Sequence, residues 1–487
     1  MLTSMLPIRL STSSAASQKA TGRRRARLLS AAVCAALVAP ACSGTPEGRS
    51  PIPLSDLLDA TSAPATRDGR CDVPRRTPPP NARPRYDMSI EIDPETRTVT
   101  GTSDVTFVAG RSTRRLVFRL WPNGPRLASE GARLDVAEAT LAGGDATVAR
   151  PDPTTLVYEL GEPLDAGAPV TARLRWRLEL PGGLLDRISQ NGTSIRLGSF
   201  FPILSWEDES GWATNPPTTT LAESSTSPTA DFDVTVSAPP ALDVIATGTE
   251  TSPGRWEARA VRDFAVAAGE FETVRAVVDA PRPVDVTVGV ARGLEATPQQ
   301  FADAIATALR DLSRRYGAYP WQTFSMAIMP DLGSAGIEYP TMVFQGEKSL
   351  RNATTHEVAH SWFYALVGNN QARDPWLDEG VTSWAQGRSD GTMAFFRDYE
   401  VEGAARGRLG APMRYWDAHE DGYYGGVYVQ GVQALDALGD PRLVDCALKR
   451  YVAENAYDVA TTDDLVDALE PDFPRAARVL RRFGART

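Results

Sequence analysis

Residues 354–363 read "TTHEVAHSWF", in a chain of 487 residues that contains only three histidines. Two of them, His356 and His360, stand four apart, with Glu357 directly after the first. The surrounding "NATTHEVAHSWFYALVG" (352–368) reads as a helix, with Asn352 or a neighbouring threonine near its start and Gly368 past its end. Positions four apart on a helix share a face, so the two imidazoles can grip one tetrahedral cation. Glu357 beside them can reach a water held by that cation. A catalytic zinc takes three protein ligands and keeps one position open, so a third ligand must come from elsewhere.

Moving outward, a break at Gly368-Asn369-Asn370 is followed by "DPWLDEGVTSWAQG" (374–387), where Glu379 follows His360 after 18 intervening residues. H-E-x-x-H, that interval, and a glutamate inside W-L-D-E-G resemble the gluzincin metallopeptidases, specifically the aminopeptidase N family that includes leukotriene hydrolase. The resemblance implies one zinc ion held by His356, His360 and Glu379, in a thermolysin-like α+β domain. It leaves Asp378 exposed or behind a ligand. Zinc lowers the pKa of bound water and polarises a carbonyl, and Glu357 is placed to accept and return the proton.

Two further stretches carry the resemblance. "GSAGIEYPTMVF" (333–344) is similar to the family's G-x-M-E-N segment, which implies that Glu338 binds a substrate's free α-amino group. Ala335, Ile337 and Tyr339 stand where Gly, Met and Asn are usual. "GGVYVQGVQALDAL" (425–438) resembles the Y-x-K-G-x-x-x-L stretch, which makes Tyr428 the oxyanion donor, with Gln430 in place of Lys. His419, in "DAHEDGYY", has no partner at ligand spacing and reads as a solvated residue.

The chain starts with a targeting pattern. "RRRAR" (23–27) precedes the short apolar "LLSAAVCAALVAPAC" (28–42), and residues 1–41 read as a signal peptide. Ala39-Pro40-Ala41 fits a cleavage site, while "VAPAC" resembles a lipobox with Cys42 as the lipid-bearing residue. The protein is thus expected to be exported, secreted or held at the cell surface, with membrane contact only through Cys42. Beyond the leader and Cys42 only Cys71 and Cys446 remain, and they could pair in an oxidising compartment. The absence of Cys-x-x-Cys excludes a thiolate metal site. The formal charge of −10 disfavours nucleic-acid partners.

Residues 42–85, with "RRTPPPNARPR", read as a Pro/Ser-rich linker without a packing pattern. From Tyr86 the period is two. Met88, Ile90 and Ile92 alternate with polar residues, as do Leu174, Trp176, Leu178 and Leu180, and then Phe232, Val234 and Val236. An antiparallel β domain over 86–275, saddle- or sandwich-like, follows. The period then lengthens. "TPQQFADAIATALRDLSRRYG" places Phe301, Ile305, Ala308 and Leu312 on one stripe, between an N-cap at Thr297 and a stop at Gly317. A strand at 324–330 and more helices complete a catalytic domain over 276–487.

The resemblance extends to "YDMSIEIDPETRTVTGTSDVTF", "FFPILSWEDESGW" and "RDFAVAAGEF" of the first domain, while a Gln-Phe-Glu stretch is not found there. The expected activity is removal of N-terminal residues from peptides with a free N-terminus. Two rivals differ from it: an endopeptidase or hydrolase of another bond, which would ignore N-acetylation, and a surface binding module, which would show no turnover.

Overall fold

The computed structural model describes residues 72–487 apart from 143, 221–225 and 352. The leader, Cys42, Cys71 and Asn352 therefore lie outside the described residues. Cys446 is disulfide-bonded. Among the described residues no helix is long and apolar enough to cross a membrane.

The period-two stretches form strands where expected. Arg85–Asp93 buries Tyr86, Met88, Ile90 and Ile92, and Pro169–Glu179 and Ala230–Ser237 bury their own alternate sets. They join a seven-stranded sheet in which Arg85–Asp93 runs antiparallel to Thr98–Val108 but parallel to Ala230–Ser237. That parallel pair is possible because more than a hundred residues separate its strands, far beyond a crossover's need of about a dozen. A four-stranded sheet supplies Leu116, Phe118, Leu156 and Tyr158 to the same apolar core, making a sandwich.

A second four-stranded sheet (Asp243–Ala246, Val266–Gly269, Ser194–Leu197, Ile188–Asn191) faces the second domain. Its Ile245, with Ala265 and Ala267, packs against Ala327, Met329, Ile337, Tyr339, Met342 and Phe344. Apart from Met329, which directly follows a strand, those residues belong to the second domain's five-stranded sheet, in the order Phe271–Asp279, Pro283–Ala291, Thr323–Ile328, Met342–Gln345, Gly336–Tyr339. Phe271–Asp279 crosses the expected boundary at 275, so the second sheet begins at Phe271. Helix Pro298–Tyr316 buries Phe301, Ile305, Ala308 and Leu312 on this sheet, and Gly317 ends it at φ +99°.

Two connections differ from expectation or were invisible to it. The described part of the 42–85 stretch is docked, not free. Thr77 N donates to Ala453 O at 2.8 Å, Arg76 reaches Ala318 O, and Arg450 holds Asp72 O. Proline fixes φ in advance, so an extended Pro-rich strap loses little entropy on docking. Arg262, fully buried, donates to Ser227 O, Ala365 O and Asp458 O, pinning the first domain to the turn after His360. Gly368 leaves room for it, because a Cβ there would lie 2.4 Å from the guanidinium.

Asp263 is a buried acid of the first domain, accepting from Ser199 Oγ at 2.6 Å and Phe264 N at 2.7 Å. Burial pushes its carboxyl up to about 7, against about 3.9 when unfolded. The folded state then binds this proton more tightly, so the stabilisation present at low pH is lost as pH rises through that window. Asp263→Asn keeps an acceptor for Phe264 N and cannot ionise. Denaturant unfolding of this variant should gain about 1–2 kcal/mol on the native protein between about pH 5 and pH 8. Parallel pH profiles would show that Asp263 is not the responsible group.

Candidate metal centre

The helix that carries the two histidines is shorter than the sequence suggests. It runs Thr354–Ala359 and ends with His360 as its C-cap, not near Gly368. Beyond it the chain closes through Trp362 N to Ala359 O, Ala365 N to His360 O and Val367 N to Trp362 O, and Gly368–Asn369 pairs with Val459–Ala460. Residues 360–370 are buried throughout, so no polar face favours a continued amphipathic helix. The four-residue relation survives, since His360 N still donates to His356 O at 3.2 Å.

Glu379 opens helix Glu379–Asp390, which packs beside the first. Its Oε2 lies 3.1 Å from His356 Nε2 and 3.5 Å from His360 Nε2. Ligands each ~2.0–2.1 Å from a tetrahedral zinc stand about 3.3 Å apart, so Glu379 already lies at that spacing from both imidazoles, and all three ligand atoms lie within 4.8 Å of one another. His360 Nε2 and Glu379 Oε1 are buried without a hydrogen-bond partner in the chain. A divalent cation satisfies both. The trio fits one zinc ion.

The far side of each imidazole is fixed. His360 Nδ1 lies 2.8 Å from Asp378 Oδ1, whose Oδ2 accepts from Gln371 Nε2 at 2.6 Å. His356 Nδ1 lies 3.2 Å from Gln386 Oε1. These partners turn both Nε2 atoms inward. Asp378 is thus buried behind a ligand, one of the two places left to it by the sequence. Gln386 and Thr382, which also approaches His360, were missed. Their signal was helical spacing, at three and seven residues after Glu379 on one face.

Charge in this buried volume is costly. Burial holds His356 down to about 4, and pushes Glu357 and Asp378 up to about 7. Burial also opposes charge on Glu379, but the adjoining His356 and His360 imidazoles keep it well below the usual carboxylate range. At His360, burial is outweighed by the Glu338 and Asp378 carboxylates, which hold the imidazole well above its ordinary value. Zinc takes a neutral imidazole as ligand, so binding competes with protonation at His360.

Three more predicted residues come to the same place. Glu338, on edge strand Gly336–Tyr339, is 2% exposed, and neither of its oxygens has a hydrogen-bond partner in the chain. Its carboxylate comes within 4.8 Å of His360 and Asp378, a second group that shares His360 with the trio. Glu357 lies against the strand at Gly336, where a Cβ would come within 2.3 Å of its carboxyl carbon. Tyr428 stacks on His356, with ring centroids 5.8 Å apart, and its buried hydroxyl lies beside Glu379. Burial and the Glu379 charge keep that hydroxyl protonated. Tyr428 sits in a π-helical turn, Tyr424–Val429, a geometry often found at functional sites.

No family model matches the chain. Among curated proteins it is similar to aminopeptidase B of Rattus norvegicus (33% identical) and of Homo sapiens (28%), each over 37% of this chain. It is also 28% identical to leukotriene A-4 hydrolase of Xenopus laevis, over 35% of the chain. The chain spans 32% of the length of each of these relatives. Among solved structures it is similar to an M1 zinc metallopeptidase from Deinococcus radiodurans, at TM-score 0.64 and 21% identity, over 82% of this chain and 93% of that one. The fold is that of the two-domain M1 zinc metallopeptidases. The resemblance carried by the sequence motifs and the relatives agree.

Within this M1 fold, glycines bring Glu379 and Tyr428 together. A Cβ on Gly431 would lie 2.5 Å from Gly380 Cα, so the helices bearing the two residues cross there in backbone contact. Gln430, in the place of a lysine, is buried and holds Gly407 N at 2.8 Å while its amide faces Ala405 O and Phe483 O. His419, expected to be solvated, is half-buried instead, because its ring stacks on Tyr415 and its Nδ1 lies 2.9 Å from Tyr415 O.

Asp378→Asn removes the charge behind His360 without removing volume. Zinc affinity should fall about 10–100-fold in competition with a chromophoric chelator. Unchanged affinity would mean that Asp378 does not orient the ligand.

Proposed function

We propose that the protein is a zinc aminopeptidase that releases the first residue of peptides bearing a free N-terminus. The observation that carries this reading is Glu338, a buried carboxylate beside the metal trio with no partner of its own. Such a group is stabilised by a cation delivered from outside, and a substrate's α-ammonium matches it in charge and hydrogen bonding. Anchoring the amine there restricts attack to the adjacent peptide bond. Support also comes from the fold, since the M1 relative from Deinococcus radiodurans was solved with a Tyr-Ser-Ala substrate bound.

When bound, zinc supplies the acidity that activates water and polarises the carbonyl. The chain's own residues do the rest. Glu357, with a carboxyl held near neutrality by burial, receives the proton of the attacking water and delivers it to the departing amine. Tyr428 donates its hydroxyl to the oxygen that gains charge in the tetrahedral intermediate. Glu338 fixes the amine throughout.

Hydrolysis of aminoacyl-anilides and matched N-acetylated peptides tests this assignment. Glu357→Gln should retain zinc yet lose about 10²–10⁴ in kcat, and chelation should abolish turnover until zinc is restored. Tyr428→Phe is expected to lower kcat by about 10²–10³ at similar zinc content. Glu338→Ala should raise KM for free-amine substrates and erase the preference over acetylated ones. Equal native rates on both substrate types would instead indicate an endopeptidase or another hydrolase, and no turnover from zinc-loaded protein would indicate a binding module.

A further inference from the structure

The strand that carries Glu338 is a sheet edge, hydrogen-bonded on one side to Met342–Gln345. Its side chains alternate. Gly336 and Glu338 face the metal cluster, whereas Ile337 and Tyr339 face the first domain, inside the apolar cluster that contains Ile245, Ala265 and Ala267. The Tyr339 ring lies directly on Gly198. A Cβ built on Gly198 would stand 2.0 Å from the Tyr339 hydroxyl oxygen and 2.3 Å from Cζ. Gly198 lies outside the left-handed region, so this glycine provides space and not turn geometry.

The loop bearing Gly198 cannot retreat. Ser199, at φ +48°, is tied through its Oγ to the buried Asp263, and Phe200 and Phe201 are fully buried. Both ends of the strand are also held by the first domain. Ahead of it, Arg196 donates to Pro330 O at 3.0 Å and Asn191 Nδ2 to the Asp331 carboxylate at 2.8 Å. Behind it, Gly248 N donates to Thr341 Oγ1 at 2.7 Å.

We propose that Gly198, a first-domain residue, is a positioning residue for Glu338: its missing side chain seats Tyr339, and the seated ring sets how far Glu338 stands from the metal trio. This inference rests on Glu338 receiving the substrate amine. A methyl on Gly198 lifts Tyr339 and the strand with it, and amine recognition suffers before chemistry does.

Gly198→Ala should keep its zinc, raise KM for aminoacyl-anilides about tenfold, leave kcat within about threefold, and lower the free-amine over N-acetyl preference about tenfold. Amide hydrogen exchange should quicken across residues 336–339 and stay unchanged across 354–360. Tyr339→Leu, which removes the ring instead of the space, should show the same pattern and decides the matter if Gly198→Ala does not fold. The double variant should recover KM towards native, because the methyl then occupies room the ring has left. Native KM and native exchange in either folded single variant, or a fall in kcat at constant KM, overturns the proposal. Native enzyme indifferent to acetylation overturns the amine assignment instead, and the exchange measurement still decides whether Gly198 seats the strand.

Discussion

Four carboxylates, Glu338, Glu357, Asp378 and Glu379, are buried around two imidazoles that are themselves 1–2% exposed. In a low-dielectric interior such a collection is unstable unless positive charge balances it, and an unpaired buried charge costs several kcal/mol. Each neighbouring feature follows from that constraint. Asp378 and Gln386 turn the imidazoles so that their lone pairs converge with Glu379 on one point, and a divalent cation is the compact charge that fits. Glu338 stays outside that coordination set and keeps an unmet demand, which is what gives the site a preference among ligands.

Glycine provides the approach distances. Where Gly380 meets Gly431, two helices touch backbone to backbone, and the ligand on one comes near the hydroxyl on the other. At Gly336 the edge strand admits the Glu357 side chain. A methyl at any of these points would push apart groups that must act within hydrogen-bond reach of a common atom. The second domain's sheet is thus a wall with two working faces, one towards the histidine-bearing helix and one towards the first domain.

Much of this was legible in the residues. His356, Glu357 and His360 disclose their purpose through spacing alone, because the helix period places them on one face. The strands around Met88, Trp176 and Val234 announce themselves by alternation. Glu338, Glu379 and Tyr428 were reachable only through resemblance, since each lies on a different element and local spacing says nothing about long-range convergence. The histidine helix was read too long because "SWFYALV" (361–367) is apolar on every side, and such a run does not reveal whether it continues or folds back. The strap near Thr77 was read as free since its contacts lie far along the chain. Asp378 and Gln386 were quieter still: their work is to hold other side chains, which leaves no motif.

That strap has a consequence for how the protein is made. Thr77 Oγ1 donates to Glu454 O, a partner 377 positions downstream. A chain emerging from its N-terminus builds the strap first and its dock nearly last, so this seam closes only after both domains have been synthesised. Contacts of such separation form late and slowly. Until then the two domains hold together without this seam, and a chain lacking its last helices leaves the strap without a dock.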